Sequence, residues 1–129
     1  MILVDTSVWI EAFRKPQRLS LEEVLDLGEV VVCPPIVQEV LQGFDDPSAF
    51  RLARQAMLAF PIVESPMSIE VWLEAAQLYR TARAAGATIR SATDCLVATC
   101  ALRNDLDVLH CDRDYAQLAR VAPLRVRQP

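Results

Sequence analysis

The sequence predicts a single α/β domain over residues 1–129, with a central parallel sheet covered by helices on both faces. Short apolar, β-branched runs alternate with longer segments of helical periodicity, and this pattern is typical of a sheet whose two faces are both buried. No repeat, linker or low-complexity segment interrupts the alternation. The chain also has only 3 glycines, which disfavours an all-β fold because such folds need many tight turns.

The strands are predicted from the short apolar runs. Three of these runs are the strongest strand candidates: Ile2–Val4, residues 30–32 and residues 108–109. Pro61-Ile62-Val63 is a weaker fourth candidate, and residues 124–126 are a fifth, at an edge of the sheet. A sheet of four to five strands therefore follows.

Helices are predicted where apolar residues recur at helical spacing between capping residues, with proline in the first turn or glycine at the end. Ser20 and Glu23 resemble a capping box at the start of one of them. The helix that begins at Ala92 is unusually apolar, so we expect it to pack against the centre of the sheet. The predicted helices are residues 7–14, 20–28, 35–43, 46–59, 68–85, 92–103 and 113–121.

Composition and charge exclude several classes of protein. No signal peptide is visible and no apolar run approaches the roughly 20 residues that cross a bilayer, so a cytoplasmic location without membrane contact is expected. A net charge of −4 excludes a simple basic nucleic-acid-binding domain. The 4 cysteines form no CxxC pair and His110 is the only histidine, which argues against zinc. We expect the cysteines to be buried thiols.

Four acids stand out from the rest. Asp5 and Asp112 each follow a predicted strand, and ligands of open parallel sheets bind beyond the carboxyl ends of the strands. Glu39 lies in mid-helix between apolar residues, and Asp94 opens the most apolar helix, where Ser91 could serve as the cap instead. The alternative interpretation is that Asp5 and Asp94 cap helices and that Glu39 lies on an exposed polar face.

Carboxylates that gather at one edge of a sheet repel one another, and the repulsion reaches several kcal/mol for two charges at roughly 4 Å in a partly buried site. A hard divalent cation relieves that repulsion. A ligand set made of oxygen atoms, without histidine or cysteine, suits Mg²⁺ or Mn²⁺. The acids therefore predict a magnesium or manganese site.

Four segments resemble the motifs of the PIN-domain nucleases, and most closely those of the VapC toxins of type II toxin–antitoxin systems. The resemblance spans essentially the whole chain, with the segments in the family's order. In the first, a strand is followed by an acid and a small hydroxyl residue; in the last, an aromatic residue follows the acids. The four segments are residues 4–10, 37–43, 88–98 and 110–115.

The resemblance implies a PIN-domain-like three-layer α/β/α fold and a metal-dependent endoribonuclease that hydrolyses RNA phosphodiester bonds. It also implies that Asp5, Glu39 and Asp94 bind the metal. The last motif holds two acids, of which Asp112 is the preferred fourth ligand because it lies nearer the strand end. Asp114 would join through water or assist a second ion.

Further residues receive roles from the same resemblance. Thr6 or Ser7 would hydrogen-bond a ligand carboxylate or the scissile phosphate. Arg90 and Arg113 would contact RNA phosphates, although they serve equally well as surface charges paired with nearby acids.

The implied partners are RNA and a VapB-type antitoxin whose C-terminal segment crosses the active-site groove. Members of the family also form homodimers or toxin–antitoxin hetero-oligomers, through helices near the N-terminal half. Trp9, Phe13 and Phe44 would suit such a contact if they were exposed, and core packing explains them equally well. A PIN-like module that binds RNA or protein without cutting remains the alternative function.

Overall fold

The sheet has four strands, all parallel. They are β1 (Ile2–Val4), β2 (Val30–Val31), β3 (Asp107–Leu109) and β4 (Val126–Arg127). The computed structural model describes residues 1–129, and its strand order is β2-β1-β3-β4. The sheet thus has β1 and β3 at its centre, with neighbouring carboxyl ends.

Seven α-helices flank the sheet, and the predicted three-layer α/β/α class with a parallel sheet is confirmed. The helices begin and end close to the predicted positions, with one exception described below. They are α1 (Thr6–Phe13), α2 (Leu21–Val24), α3 (Pro34–Gln42), α4 (Pro47–Leu58), α5 (Ile69–Ala84), α6 (Ala92–Arg103) and α7 (Arg113–Ala119).

The core lies on both faces of the two central strands. Leu3 of β1 pairs with Val31 on one side and Val108 on the other, and all three side chains are buried. One cluster of 29 buried hydrophobic residues extends from Ile2 to Leu124. Because β1 and β3 are buried and in register, the residues that follow them are held at fixed positions.

Helix α6 is the most deeply buried helix, as its apolar sequence predicted. Seven of its 12 residues are buried, and the helix contacts α5, α3, α7 and β3. Its first turn carries Asp94, which is 5% exposed although it is an acid. The burial of the helix therefore brings a carboxylate into the interior beside the ends of the strands.

The helix predicted over residues 20–28 is wrong in its extent. It ends at Val24, because Leu25 is extended and Asp26 caps a separate 3₁₀ turn over Leu27–Glu29. The Asp26 carboxylate accepts a hydrogen bond from the Gly28 amide at 2.8 Å, which closes that turn. The predicted capping box is also absent, since the Ser20 side chain makes no cap hydrogen bond.

The two weaker strand predictions were only partly correct. Ile62 forms a single parallel bridge with Val32, and no strand extends from it. The edge strand begins at Val126, later than the predicted start at Leu124. Both segments lie beside the sheet at its edges, where hydrogen bonds form on one side only.

The side chains proposed for a dimer contact belong to an aromatic cluster. Trp9 is 4% exposed and donates its indole N–H to the Val4 carbonyl at 3.0 Å. Its ring stacks on Phe13, and Phe13 in turn packs edge-on against Phe44. Trp9 is therefore a core residue, and Phe13 and Phe44 are half-buried against the core.

The cysteine prediction holds for three residues out of four. Cys33, Cys95 and Cys100 are buried and Cys111 is exposed, all of them as free thiols. Cys111 follows β3 in the turn before α7, where the chain passes over the surface. None of the helices has the length and apolar character needed to cross a membrane.

Candidate active site

Two of the site carboxylates are placed by strand ends and also cap helices. Asp5 follows β1, and its Oδ2 accepts the Ser7 amide hydrogen bond at the start of α1. Asp112 lies just beyond β3, and its Oδ1 accepts the Asp114 amide at the start of α7. The sequence left open whether Asp5 caps a helix or belongs to an acid cluster; it caps α1, and it is not among the acids whose oxygens lie within 4.8 Å of one another.

Asp94 makes no capping hydrogen bond. Ser91 occupies the N-cap position of α6, and the only side-chain partner of Asp94 is the Tyr115 hydroxyl, 3.3 Å from Oδ1. Its Oδ2 is buried and has no hydrogen-bond partner. A buried carboxylate oxygen without a donor is costly, so this side chain is not explained by the needs of the fold.

Three of the acids converge at the carboxyl edge of the sheet. Carboxylate oxygens of Asp94, Asp112 and Asp114 all lie within 4.8 Å of one another. Asp114 is the most buried of them, at 1% exposed. Its Oδ2 accepts the amides of Arg90 and Ser91 at 3.0 and 3.1 Å, whereas its Oδ1 is buried without a hydrogen-bond partner. Both acids of the last motif therefore belong to the cluster.

Tyr115 joins Asp5 to this cluster. The side chain is fully buried, and its hydroxyl donates a short hydrogen bond of 2.5 Å to Asp5 Oδ1 while lying next to Asp94. The sequence shows an aromatic residue after the acids, but its pattern does not predict a role for the hydroxyl. The useful signal was a tyrosine directly after an Asp-Arg-Asp run, a position where packing alone would not require a hydroxyl.

His110 was missed as well. It is 2% exposed, its Nδ1 accepts the Asp112 amide at 3.2 Å, and its ring packs against Tyr115. Burial lowers the pKa of His110, so the ring is neutral near pH 7. It supports the turn that carries Asp112 without adding positive charge.

The two hydroxyl residues after β1 each hold a carboxylate. Thr6 donates from Oγ1 to Glu39 Oε1 at 3.1 Å. Ser7 donates from Oγ to Asp5 Oδ2 at 2.6 Å and accepts the Cys111 amide at 2.9 Å. Ser7 therefore connects the end of β1 to the turn after β3. Glu39, which Thr6 holds, is half-buried and not fully exposed.

The crowded acids shift one another's ionisation. Burial is the largest cause that raises the pKa of Asp94 from 3.8 to about 8, and the close carboxylates of Asp114 and Asp5 contribute. Burial also raises the pKa of Glu39, with smaller contributions from the negative charges of Asp5 and Asp112, while the Thr6 hydrogen bond opposes the shift. Negative charge is therefore in excess at this edge.

The two predicted RNA-contacting arginines differ in their surroundings. The Arg90 guanidinium lies 3.2 Å from Asp112 Oδ1 through Nη2 and 3.6 Å from Asp114 Oδ1 through Nε. Arg113 is exposed and forms no ion pair. Arg90 therefore lies against the acid cluster, whereas Arg113 is an exposed residue that directly follows Asp112 in the chain.

The donor set suits a hard divalent cation. Every candidate ligand atom is a carboxylate oxygen, and the buried oxygens Asp94 Oδ2 and Asp114 Oδ1 lack donors. Oxygen-only clusters of this kind match the ligand preference of Mg²⁺ and Mn²⁺. The residues present thus fit a metal centre built on Asp94, Asp112 and Asp114, whereas Asp5 and Glu39, which the sequence also singled out, are not part of that group.

Comparison with known proteins identifies the family. The family model described as "PIN domain" matches residues 2–121. The chain belongs to the PIN-domain family. Relatives within it include Ribonuclease VapC11 of Mycobacterium tuberculosis and VapC ribonuclease Mb1587 of Mycobacterium bovis, each 35% identical over 97% of this chain and 96% of the relative. The prediction of a PIN-domain ribonuclease of VapC type is confirmed at the level of the family.

Solved structures share this PIN fold at low sequence identity. VapBC2 from Rickettsia felis, bound to a DNA fragment from its promoter, aligns with a TM-score of 0.76 and 14% identity over 100% of this chain and 99% of the other. FitAcB from Neisseria gonorrhoeae aligns with a TM-score of 0.70 and 24% identity over 98% and 96%. These likenesses support the PIN architecture, while the sequence relatives connect it to RNA cleavage.

Proposed function

We propose that this protein is a divalent-metal-dependent endoribonuclease and the toxin of a toxin–antitoxin pair. The observation that carries the proposal is the convergence of Asp94, Asp112 and Asp114, whose oxygens lie within 4.8 Å of one another in a fold of the PIN family. When both carboxylates are ionised, two of the buried oxygens have no donor. Because such an arrangement is unfavourable without a cation, its presence supports a metal-dependent reaction.

The metal ligands in this proposal are Asp94, Asp112 and Asp114, with Asp5 and Glu39 completing the set at its border. Mg²⁺ or Mn²⁺ is the expected ion because all the donors are carboxylate oxygens. A bound divalent ion supplies Lewis acidity and an activated water for the attack on a phosphodiester.

The side chains around the metal ligands fix their positions. Tyr115 and Ser7 each donate to a different oxygen of Asp5, so that carboxylate is held from both sides. Thr6 holds Oε1 of Glu39, which leaves Oε2 as the free oxygen of that carboxylate.

RNA binding relies on local positive charge, because the protein carries a net charge of −4. Arg90 forms an ion pair with Asp112, and Arg113 is exposed and directly follows Asp112 in the chain. Guanidinium groups contact phosphate oxygens in pairs of hydrogen bonds. These two arginines are therefore the proposed contacts to the RNA backbone.

The deciding experiment is cleavage of total cellular RNA by the purified protein free of any partner. We expect discrete fragments with Mg²⁺ or Mn²⁺ and none with EDTA. Asp94→Asn and Asp5→Asn should each lower the rate at least 100-fold or so, while Asp45→Asn, at an exposed acid outside the cluster, should leave it unchanged. Circular dichroism checks that each variant is folded.

Two results would contradict this proposal. Full activity of folded Asp94→Asn would show that the cluster is not the metal site. A folded wild-type protein that binds RNA but releases no fragments in either metal would favour the alternative, a PIN-like binding module without catalysis.

The partner in this proposal is a VapB-type antitoxin, and the location is the cytoplasm, where its RNA substrate is found. A groove of about 350 Å³ that includes Glu39 would accommodate a segment of such a partner; Thr93, Leu96 and Trp72 are among its other lining residues. An antitoxin segment in this groove would cover Glu39 and block RNA. The complex is expected to be a toxin–antitoxin hetero-oligomer, with or without a toxin homodimer.

Co-expression tests the partner. Expression of the wild-type protein alone should stop growth, and co-expression of a small protein encoded beside it should restore growth and co-purify with it. Asp94→Asn should be harmless and still co-purify with the partner. Growth arrest that persists with the neighbouring protein present would count against the toxin–antitoxin assignment while leaving the nuclease assignment intact.

A further inference from the structure

Arg90 is the one basic residue that forms ion pairs with the acid cluster. Its guanidinium reaches Asp112 at 3.2 Å and Asp114 at 3.6 Å, whereas the other ion pairs of the protein involve Arg103, Arg125 and Arg127 on other surfaces. Arg90 therefore supplies the only direct positive charge to carboxylates that would also hold a metal.

The contact with Asp114 is electrostatic rather than a formed hydrogen bond. At 3.6 Å the Nε–Oδ1 separation exceeds hydrogen-bond length, and Asp114 Oδ1 has no other donor. The positive charge of Arg90 thus offsets the negative charge of Asp114, but the arginine donates no side-chain hydrogen bond to Asp114 Oδ1. A divalent ion between Asp94, Asp112 and Asp114 would use the same carboxylates and carry twice the charge.

The loop that carries Arg90 does not depend on the guanidinium for its position. The backbone amides of Arg90 and Ser91 both donate to Asp114 Oδ2, and these bonds survive any change of side chain. The Arg90 side chain is 53% exposed. It can therefore swing away from the acids without opening the core.

We propose that Arg90 is a resident counter-ion that competes with the divalent metal for Asp112 and Asp114, and that metal binding releases its guanidinium toward the RNA phosphates. This inference rests on the proposed function, since it assumes that the cluster binds a metal. Arg90 is in this respect a positioning residue. In the metal-free protein its guanidinium holds the acids together, and it can contact an RNA phosphate only when the divalent metal is bound. Metal occupancy and RNA binding are thereby coupled.

The test is the Mn²⁺ dissociation constant in the absence of RNA, measured by isothermal titration calorimetry at fixed pH and ionic strength. Arg90→Gln removes the competing charge, so it should bind Mn²⁺ roughly three- to tenfold more tightly than the wild type. Arg90→Lys keeps the charge and should remain close to the wild type. The control is Arg120→Gln, at an exposed arginine bonded only to Gln117 of its own helix, and it should not change the constant.

A second measurement follows the released guanidinium. At saturating Mn²⁺, Arg90→Gln should raise KM for RNA about threefold or more while changing kcat less. Arg120→Gln should leave both constants unchanged. Urea unfolding in EDTA verifies that the variants are folded, and Arg90→Gln should be the least stable of them because the acids lose their counter-ion.

The outcomes separate this inference from the proposed function. If the wild-type protein binds no Mn²⁺, the metal centre itself is wrong and the inference fails with it. If the wild type binds Mn²⁺ and Arg90→Gln binds it equally or more weakly, the metal centre stands and the competition is refuted. If Arg90→Gln binds Mn²⁺ more tightly but KM for RNA is unchanged, the release toward phosphate is refuted.

Discussion

Single residues in this protein serve the fold and the site together. Asp5 caps α1 through the Ser7 amide and also accepts the Tyr115 hydroxyl, and Asp112 caps α7 while it pairs with Arg90. Because capping and metal binding favour the same residue type at the same strand end, a sequence alone does not separate the two roles. Asp94 distinguishes the two roles, because its side chain lies in the cluster and caps no helix.

The raised pKa of Asp94 makes the stability of the metal-free protein dependent on pH. The folded state keeps this carboxyl protonated up to about pH 8, whereas the unfolded chain releases the proton near pH 4. The folded state therefore binds more protons between these values. The raised pKa of Asp94 therefore stabilises the folded state fully below about pH 4, and this contribution is lost as the pH rises through about 8.

Asp94→Asn should remove this dependence, because the amide stays neutral at every pH. In EDTA we expect the variant to be more stable than the wild type by about 5 kcal/mol at pH 9 and similar to it at pH 4. Urea unfolding at pH 4, 6, 8 and 9 provides the measurement. Asp45→Asn should follow the wild-type curve, and parallel curves for Asp94→Asn and the wild type would refute the assignment.

At the scale of elements, buried strands and capped helices could be predicted from sequence and marginal segments could not. Strand β1 was predicted with its exact bounds because three apolar residues precede an acid that caps a helix. The segment after Ser20 has a helical pattern as well, but the extended Leu25 divides it into two turns. Local pattern does not reveal which of two short alternatives the rest of the fold selects.

The same limit explains the aromatic cluster. Trp9 lies at a helical position that is equally compatible with a core and with an exposed contact surface, and only the packing of Phe13 and Phe60 against it shows that it faces inward. Phe13 belongs to α1 itself, whereas the contact with Phe60 joins α1 to a segment some 50 residues later in the chain. Long-range packing of this kind leaves no mark in the local sequence.

Trp9→Phe should therefore affect folding rather than association. The change removes the indole hydrogen bond to Val4 and part of the buried volume, which should lower the free energy of unfolding by about 2 kcal/mol. The matched control is Trp72→Phe, at the other tryptophan, which is 50% exposed and should cost less than about 0.5 kcal/mol. Urea unfolding and light scattering after size exclusion measure the two effects.

A different result would place Trp9 at an interface. If Trp9→Phe left the unfolding free energy unchanged but lowered the molar mass in solution, the core assignment would be wrong and the predicted N-terminal dimer contact would be restored. The homodimer itself stays a prediction.

At the scale of the whole molecule, the sequence predicted the edge of the sheet where the acids lie but not which of them come together. Asp94, Asp112 and Asp114 form one group, and Asp5 and Glu39 are not part of it. The order of strands places the ends of β1 and β3 side by side, so the position of Asp5 and Asp112 at the same edge of the sheet follows from the topology. The depth of Asp114 and the Tyr115 bridge do not. They depend on how the first turn of α7 packs against α6, a distance of about 20 residues along the chain.

Metal binding should stabilise the entire domain, since the ligands come from different elements and meet only in the folded state. An ion present at a hundredfold excess over its dissociation constant adds about 2.7 kcal/mol to the free energy of unfolding, which corresponds to a rise of roughly 8–13 °C in Tm for a domain of this size. Mn²⁺ or Mg²⁺ should therefore raise the Tm of the wild type, as measured by calorimetry against an EDTA sample at equal ionic strength. Asp94→Asn should start from a higher metal-free Tm at pH 8, because one buried charge is gone, and should gain far less on addition of metal. An equal gain in both proteins would mean that the stabilising ion binds elsewhere, because an ion held by Asp94 would lose one of its protein ligands in the variant.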